Sequence, residues 1–256
     1  MKILITRPHL ESIELQKKLR LIGISAWSLP ILNFYPGIGL KYLSKIISTI
    51  SKNSIICMTS KKAIEYASMY LKSLNIPWPS DVQYYTIGKE SSLLFQKKTG
   101  KKSQYPILIE NSENLLKLID LKIIKKKTIL ILKGNQGRNI LKNAFITKGA
   151  NVILIECYKR KIKKIDSKKE TKKWKKKKID TIVVTNSTTL HALYKIFSSR
   201  NSKSWFLQCN LLVISIRLKI LAKNLGWDKI YISKKSNNNS LLEKLLDIKK
   251  NEKKDL

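Results

Sequence analysis

The chain repeats itself at an offset of 126 residues, and this constrains its fold more than any other feature. Lys2-Ile3-Leu4-Ile5-Thr6 parallels Thr128-Ile129-Leu130-Ile131-Leu132, and each leads into a helix-like stretch that ends at a glycine, Gly23 or Gly149. Residues 55–60 match 181–186 at nearly the same offset, and residues 84–88 match 211–215 within one residue of it. Gly100 and Gly226 close the third pair. Each segment reads as a short buried strand followed by an amphipathic helix. Leu15, Leu19 and Ile22 fall at i, i+4 and i+7, and Ala63, Ala67 and Leu71 form a similar stripe, as do Leu241, Leu245 and Ile248. Continuous apolar strands alternating with helices predict parallel sheets covered on both faces, hence two similar α/β units.

Two extended segments, 29–36 and 155–162, lie at equivalent repeat positions. If both are crossovers, the chain leaves the first unit after one βα element, completes the second and returns. That predicts a discontinuous α/β domain of residues 1–34 plus 163–250, an inserted α/β domain of residues 35–162 that includes the crossover strands, and a basic tail at 251–256. Residues near 34 and 162 would then lie side by side as antiparallel strands. A single cut near 125 would instead place three βα elements in each half. Repeat logic alone does not separate the two.

The 52 Lys and Arg stand against 17 Asp and Glu, a net charge of +35. Only six of the basic residues are Arg, and Lys, Ile and Asn are heavily used, the bias of an AT-rich genome. Charge of this kind reads as drift on solvated surfaces. It would equally favour a small ligand with many carboxylates, or a polyanion such as RNA. The densest cationic block, 163–178, reads as a solvated helix, and the RNA alternative would use Trp174 there as a stacking platform. Three cysteines and two histidines are too scattered for a disulfide framework or a paired-Cys zinc site. No apolar run approaches the ~18–20 residues that span a bilayer, and the N-terminus is too short for a secretory signal. The expectation is a cytoplasmic protein without metal or membrane contact.

Ligands of open α/β sheets bind beyond the carboxyl ends of the strands, where backbone N–H groups and helix N-termini favour anions. Reading those ends gives Arg7; Thr59, Ser60 and Lys61; Gly88 and Lys89; Gly134, Asn135 and Arg138; Thr185, Asn186 and Ser187; and Ser215. These are hydroxyls, glycines, amides and cations, with no carboxylate among them. Singly, each Thr or Ser is also a good helix N-cap; together they would welcome an anion at every strand end. No dinucleotide or P-loop spacing is present, although residues 134–138 form a turn with anion-friendly amides. No Ser-His-Asp set or carboxylate pair is placed for acid–base work, and His9 and His191 read as surface or packing residues.

Six stretches then carry a specific resemblance. They are Ile3-Leu4-Ile5-Thr6-Arg7-Pro8, Met58-Thr59-Ser60-Lys61-Lys62-Ala63, Ile87-Gly88-Lys89, residues 130–138, Ile155-Glu156-Cys157-Tyr158-Lys159-Arg160, and Val183-Val184-Thr185-Asn186-Ser187. In order and spacing, from Lys2 to about Leu246, the chain resembles the uroporphyrinogen-III synthase family. The resemblance implies two α/β domains joined by a two-stranded ladder, with an active site in the cleft between them, and so favours the inserted-domain division. It implies a monomer that cyclises hydroxymethylbilane, a linear tetrapyrrole with eight carboxylates, without a cofactor. Loss of the terminal hydroxyl gives an azafulvene; ring D attacks through its substituted carbon, and the spiro intermediate fragments and closes with ring D inverted. The substrate is already reactive, so the protein mainly imposes a conformation. That fits the shortage of acid–base residues. The resemblance makes Tyr158 the catalytic candidate, a cleft-facing phenol able to protonate departing hydroxide. Where the family often shows Gly or Ser with Thr nearby, Ser215-Ile216-Arg217 stands here, which argues against direct contact by Arg217.

Overall fold

A computed structural model describes residues 1–252. The chain opens with β1 (Lys2–Ile5), α1 (His9–Leu21) and β2 (Ser25–Ser28). It continues through β3 (Leu32–Pro36), α2 (Leu40–Thr49), β4 (Ile55–Met58), α3 (Lys61–Ser73), β5 (Gln83–Thr86) and α4 (Lys89–Thr99). Next come α5 (Ser112–Leu118), β6 (Thr128–Gly134), α6 (Ile140–Thr147) and the long β7 (Asn151–Ile162). Then follow α7 (Ser167–Lys176), β8 (Thr181–Val183), α8 (Ser187–Ile196) and α9 (Arg200–Gln208). The last elements are β9 (Asn210–Val213), α10 (Ile216–Asn224), β10 (Ile230–Ile232) and α11 (Asn238–Glu252). Two compact units result, one made of Met1–Asn33 with the chain from Lys161 on, the other of Phe34–Arg160.

The first unit has a parallel sheet in the order β10-β9-β8-β1-β2. All of β8 and β9 is buried, as sheets covered on both faces require. Leu15 and Leu19 of α1 and Leu241 and Leu245 of α11 pack with Ile3, Ile5, Val183 and Leu212 in one core. Ile22 departs from the expected stripe. Helix α1 ends at Leu21, so Ile22 leaves the helical period and is exposed. On α7, whose N-cap Asp166 accepts from the Lys169 N–H, Trp174 is only 2% exposed. Its ring is core, so no stacking platform faces solvent there. Of the expected basic tail, Asn251 and Glu252 belong to α11, and residues 253–256 lie outside the described residues.

The second unit orders its strands β3-β7-β6-β4-β5, with β5, β4, β6 and β7 parallel. Strand β4 serves both faces. Ile56 and Met58 join Leu43, Ala67, Leu71 and Phe95 in one cluster, while Ile55 and Cys57 join Leu115, Leu141 and Phe145 in the other. Strand β3 runs antiparallel to β7: the Gly37 N–H donates to Cys157 O and the Gly39 N–H to Glu156 O. At the far end of the same ladder the Lys163 N–H donates to Ile31 O, so partner numbers fall as the chain rises. Among the described residues, no helix is long and apolar enough to cross a membrane.

The repeat maps onto both sheets. The isolated parallel bridge Tyr85↔Gln104 sits 126 residues before the Leu211↔Ile230 pair of β9 and β10. Strands β2 and β7 begin 126 apart, at Ser25 and Asn151. From there β7 runs on unbroken, whereas the first copy breaks at Leu29-Pro30 into β2 and β3. Pro30 has no N–H for a ladder, which explains the break. Each copy therefore contributes to both units: β1 and β2 are completed by β8–β10, while β4 and β5 are completed by β6 and β7.

Gly100 and Gly226 end their helices at φ of +72° and +99°. A Cβ at Gly100 would meet nothing within 4 Å, so Gly100→Ala should cost only the left-handed backbone penalty, about 1–2 kcal/mol in a denaturant melt. A neutral substitution would show the turn to be relaxed. The thiols of Cys57, Cys157 and Cys209 are free and buried, and burial pushes each up to about 12 from an ordinary 9.0. Between these values the unfolded chain releases thiol protons that the folded chain keeps, so stability falls as pH rises. Each thiol should add about 1.4 kcal/mol per pH unit to that slope. Cys57→Ala should flatten the decline of Tm above pH 9; an unchanged slope would count against this origin.

Candidate active site

Strands β6 and β7 pair residue for residue from Thr128↔Asn151 to Lys133↔Glu156, and then Gly134 faces Tyr158. Cys157 is the extra residue of a β-bulge, a device that re-aims the side chain after it. Cys157 and Tyr158 consequently join the same core cluster, which regular alternation along a strand forbids. The hydroxyl end of the Tyr158 ring lies against Gly134, where a Cβ would meet its Cζ at 2.6 Å. Phe34 packs at 5.7 Å between ring centroids, and Tyr66 stacks at 6.1 Å with planes 21° apart. Tyr158 is 1% exposed. The ring is packed because the bulge turns it onto the glycine.

Its hydroxyl accepts two hydrogen bonds, from Ser60 Oγ at 3.2 Å and from Arg160 Nη2 at 2.7 Å. Ser60 is the N-cap of α3, and its Oγ also accepts the Ala63 N–H at 3.1 Å. The Arg160 guanidinium lies over the Tyr158 ring, 5.4 Å from its centre. Its Nε is buried and without a partner. Ser60 follows β4 and Gly134 ends β6, so the phenol oxygen stands at the carboxyl edge of the sheet, where open α/β sheets take ligands.

The remaining strand-end candidates divide by what they already do. Thr59 donates through both N–H and Oγ1 to Leu132 O. Asn135 ties its turn to β7, its N–H donating to Tyr158 O and its Oδ1 accepting the Arg160 N–H. Arg138 is paired with Glu113, and Lys61 opens α3. At Gly88 and Lys89 the chain supplies its own carboxylate: the Lys89 N–H donates to Glu110 Oε1 at 3.2 Å, and the same carboxylate lies against the Gly88 Cα. In the other unit Arg7 is 5% exposed, donating from Nε and Nη2 to Glu11 and from Nη1 to Asn238 Oδ1. Its guanidinium locks α1 to α11 and is not presented to a ligand. Asn186 caps α8 and Ser215 caps α10, while Thr185 and Ser187 flank Asn186, half-buried. The cluster around the phenol thus keeps Ser60, Gly134 and Asn135 from the strand-end set. Arg160 and Glu110 were missed: nothing in a strand-end reading points to a residue two places beyond the tyrosine, or to an acid in the irregular segment before α5.

A family profile described as "Uroporphyrinogen-III synthase HemD" matches residues 13–243. The uroporphyrinogen-III synthase of Salmonella typhimurium is 36% identical over 245 residues, spanning 96% of this chain and 100% of that protein. The Escherichia coli synthase is 34% identical over the same spans. The chain belongs to the uroporphyrinogen-III synthase family. Two solved synthase structures share its fold. A mutant from Thermus thermophilus has a TM-score of 0.67 at 11% identity, over 98% of this chain and 99% of that one. The Helicobacter pylori protein has 0.60 at 16%, over 96% and 99%. A uroporphyrinogen-III synthase is a lyase of porphyrin and haem biosynthesis that cyclises hydroxymethylbilane, and this is the chain's activity.

Among the described residues, no cluster of His, Cys, Asp or Glu could hold a metal ion. In this synthase the seat of the phenol leaves no room for a larger residue at Gly134. Gly134→Ala drives a methyl group into the Tyr158 ring and should cost about 1–3 kcal/mol of stability. Formation of the type III isomer should fall with it, whereas Gly100→Ala should leave the isomer ratio untouched. Wild-type melting and product in Gly134→Ala would show that the ring is not held there.

Proposed function

We propose that Tyr158 is the proton donor of the cyclisation and that the strand-end donors other than Arg7, whose guanidinium is held by Glu11 and Asn238, receive substrate carboxylates. The observation that carries this is the phenol's hydrogen bonding. Ser60 and Arg160 both donate to its oxygen, so its own hydrogen, for which no described residue supplies an acceptor, is the one left to give away. The hydroxymethyl C–O bond breaks with its electron pair on oxygen, and that oxygen takes the phenol proton and leaves as water. The pyrrole left behind is the azafulvenium electrophile, which ring D attacks through its substituted carbon to give the spiro intermediate. The older bond from that carbon to its methylene then breaks, and the freed methylene closes onto the unsubstituted carbon of the inverted ring D. Loss of the proton on that carbon restores aromaticity, and that proton restores the phenol. One water is released and no electrons are exchanged.

Because the substrate ionises readily by itself, the protein's task is to impose one conformation and to supply a well-placed proton. Hydroxyls, amides and N-terminal amides at the sheet edges suit carboxylates and need no metal or cofactor. The reading includes a cytoplasmic location, for which the matching bacterial relatives are the support, and an enzyme that acts as a monomer.

The test is isomer-resolved turnover of freshly generated hydroxymethylbilane. The wild-type chain should give type III above the spontaneous type I background, and type I alone would sink the assignment. Tyr158→Phe keeps the ring packing and should lower kcat by about 10²-fold or less, near the bottom of the range for one donor lost from a developing anion. Product should drift toward type I as unreacted substrate closes unaided. Unchanged turnover and isomer ratio would reduce Tyr158 to packing.

A further inference from the structure

We infer that Arg160 both captures a substrate carboxylate and positions Tyr158, with Ser60 as its counterpart on the other side of the phenol. The inference rests on the reading of Tyr158 as donor. Three arginines with described side-chain contacts decide the matter by contrast. Arg7 spends its guanidinium on Glu11 and Arg138 spends its own on Glu113. Arg160 has no carboxylate partner among the described residues, and its side chain donates only to a phenol. Its Nε is buried and unpartnered. A guanidinium carries five N–H donors in a planar fork, so one branch can hold the phenol oxygen while another accepts a carboxylate. A free cation fixed 2.7 Å from the donor oxygen is also what the phenolate needs after it has given up its proton.

Ser60 completes the arrangement. Its Oγ accepts the Ala63 N–H, so its hydrogen is directed to Tyr158. Both lone pairs of the phenol oxygen are thereby taken and its O–H direction is set. Strand alternation brings Tyr158 and Arg160, at i and i+2, onto one face, and the bulge at Cys157 turns that face toward Ser60 and Gly134. Carboxylate capture and proton donation would then share one guanidinium, and substrates lacking the matching carboxylate would lose both.

The experiment is a kinetic double-mutant cycle on type III formation, using Arg160→Gln, Arg160→Lys, Ser60→Ala and Tyr158→Phe, with melting curves for each. Arg160→Gln should raise KM about tenfold and lower kcat about tenfold, the size of one lost charge-assisted hydrogen bond in each parameter. Arg160→Lys should recover KM in part and kcat little, since a point charge cannot hold both partners. In the Tyr158→Phe background, Arg160→Gln should still raise KM, yet neither it nor Ser60→Ala should lower kcat further. Ser60→Ala should shift Tm equally in both backgrounds, because the lost N-cap is independent of the hydroxyl. Kcat losses that multiply in full, with or without the hydroxyl, would overturn the inference and leave Tyr158 as donor. A Tyr158→Phe enzyme with wild-type kcat would instead remove the underlying reading, and the inference with it.

Discussion

Strand β7 has to satisfy two different partners, and the residues at the change of partner are the ones gathered around the phenol. Up to Glu156 it pairs in parallel with β6; from there on it also forms the antiparallel ladder with β3. The two hydrogen-bond patterns are spaced differently, and the single extra residue Cys157 absorbs the mismatch. A bulge here has a fixed consequence. Tyr158 rotates onto the β6 end, which only a glycine can tolerate, because any Cβ at 134 would overlap the ring. Arg160 then falls over the ring face, and the N-cap serine of α3 meets the hydroxyl. The cluster follows from a register problem solved in one step.

The duplicated sequence determines which residues can solve it. Each copy starts a sheet in one unit and completes the sheet of the other, so β1 pairs with β8 across Ile3↔Thr181, far apart in the chain. Such contacts close late, since loop entropy must be overcome before the pairing contributes. The second unit lies within one stretch of chain, and its β4–β6 pairing is shorter in range. This unit carries the phenol cluster, which is therefore assembled by the more local half of the fold.

Much of this was legible in the sequence because it depends on local signals. The offset of 126 residues, the wholly buried β4, and the caps at Ser60, Asn186 and Ser215 all follow from short-range patterns. The bulge does not. Nothing in Glu156-Cys157-Tyr158 marks one residue as extra, since the mismatch arises only when β3 and β6 approach β7 from opposite sides. Arg7 shows the converse. It stands at a strand end where an anion-binding arginine is expected, but Glu11 one helical turn later and Asn238, distant in sequence, occupy its guanidinium. Glu110, which occupies the amide end of α4, was likewise invisible because its segment has no periodicity to place it.

The hydrogen bond that caps α3 continues to the phenol. The Ala63 N–H would be an orphan at the start of the helix; Ser60 satisfies it and gains a hydrogen with one direction to point. Passing that hydrogen to Tyr158 extends the positive end of the α3 dipole to the phenol oxygen, and the Arg160 cation approaches the same atom from the other side. If Tyr158 is the donor, both groups face the atom from which the proton leaves, so one capping hydrogen bond serves the helix and the reacting atom alike. An enzyme whose substrate is already poised to ionise needs little more than that from its protein groups.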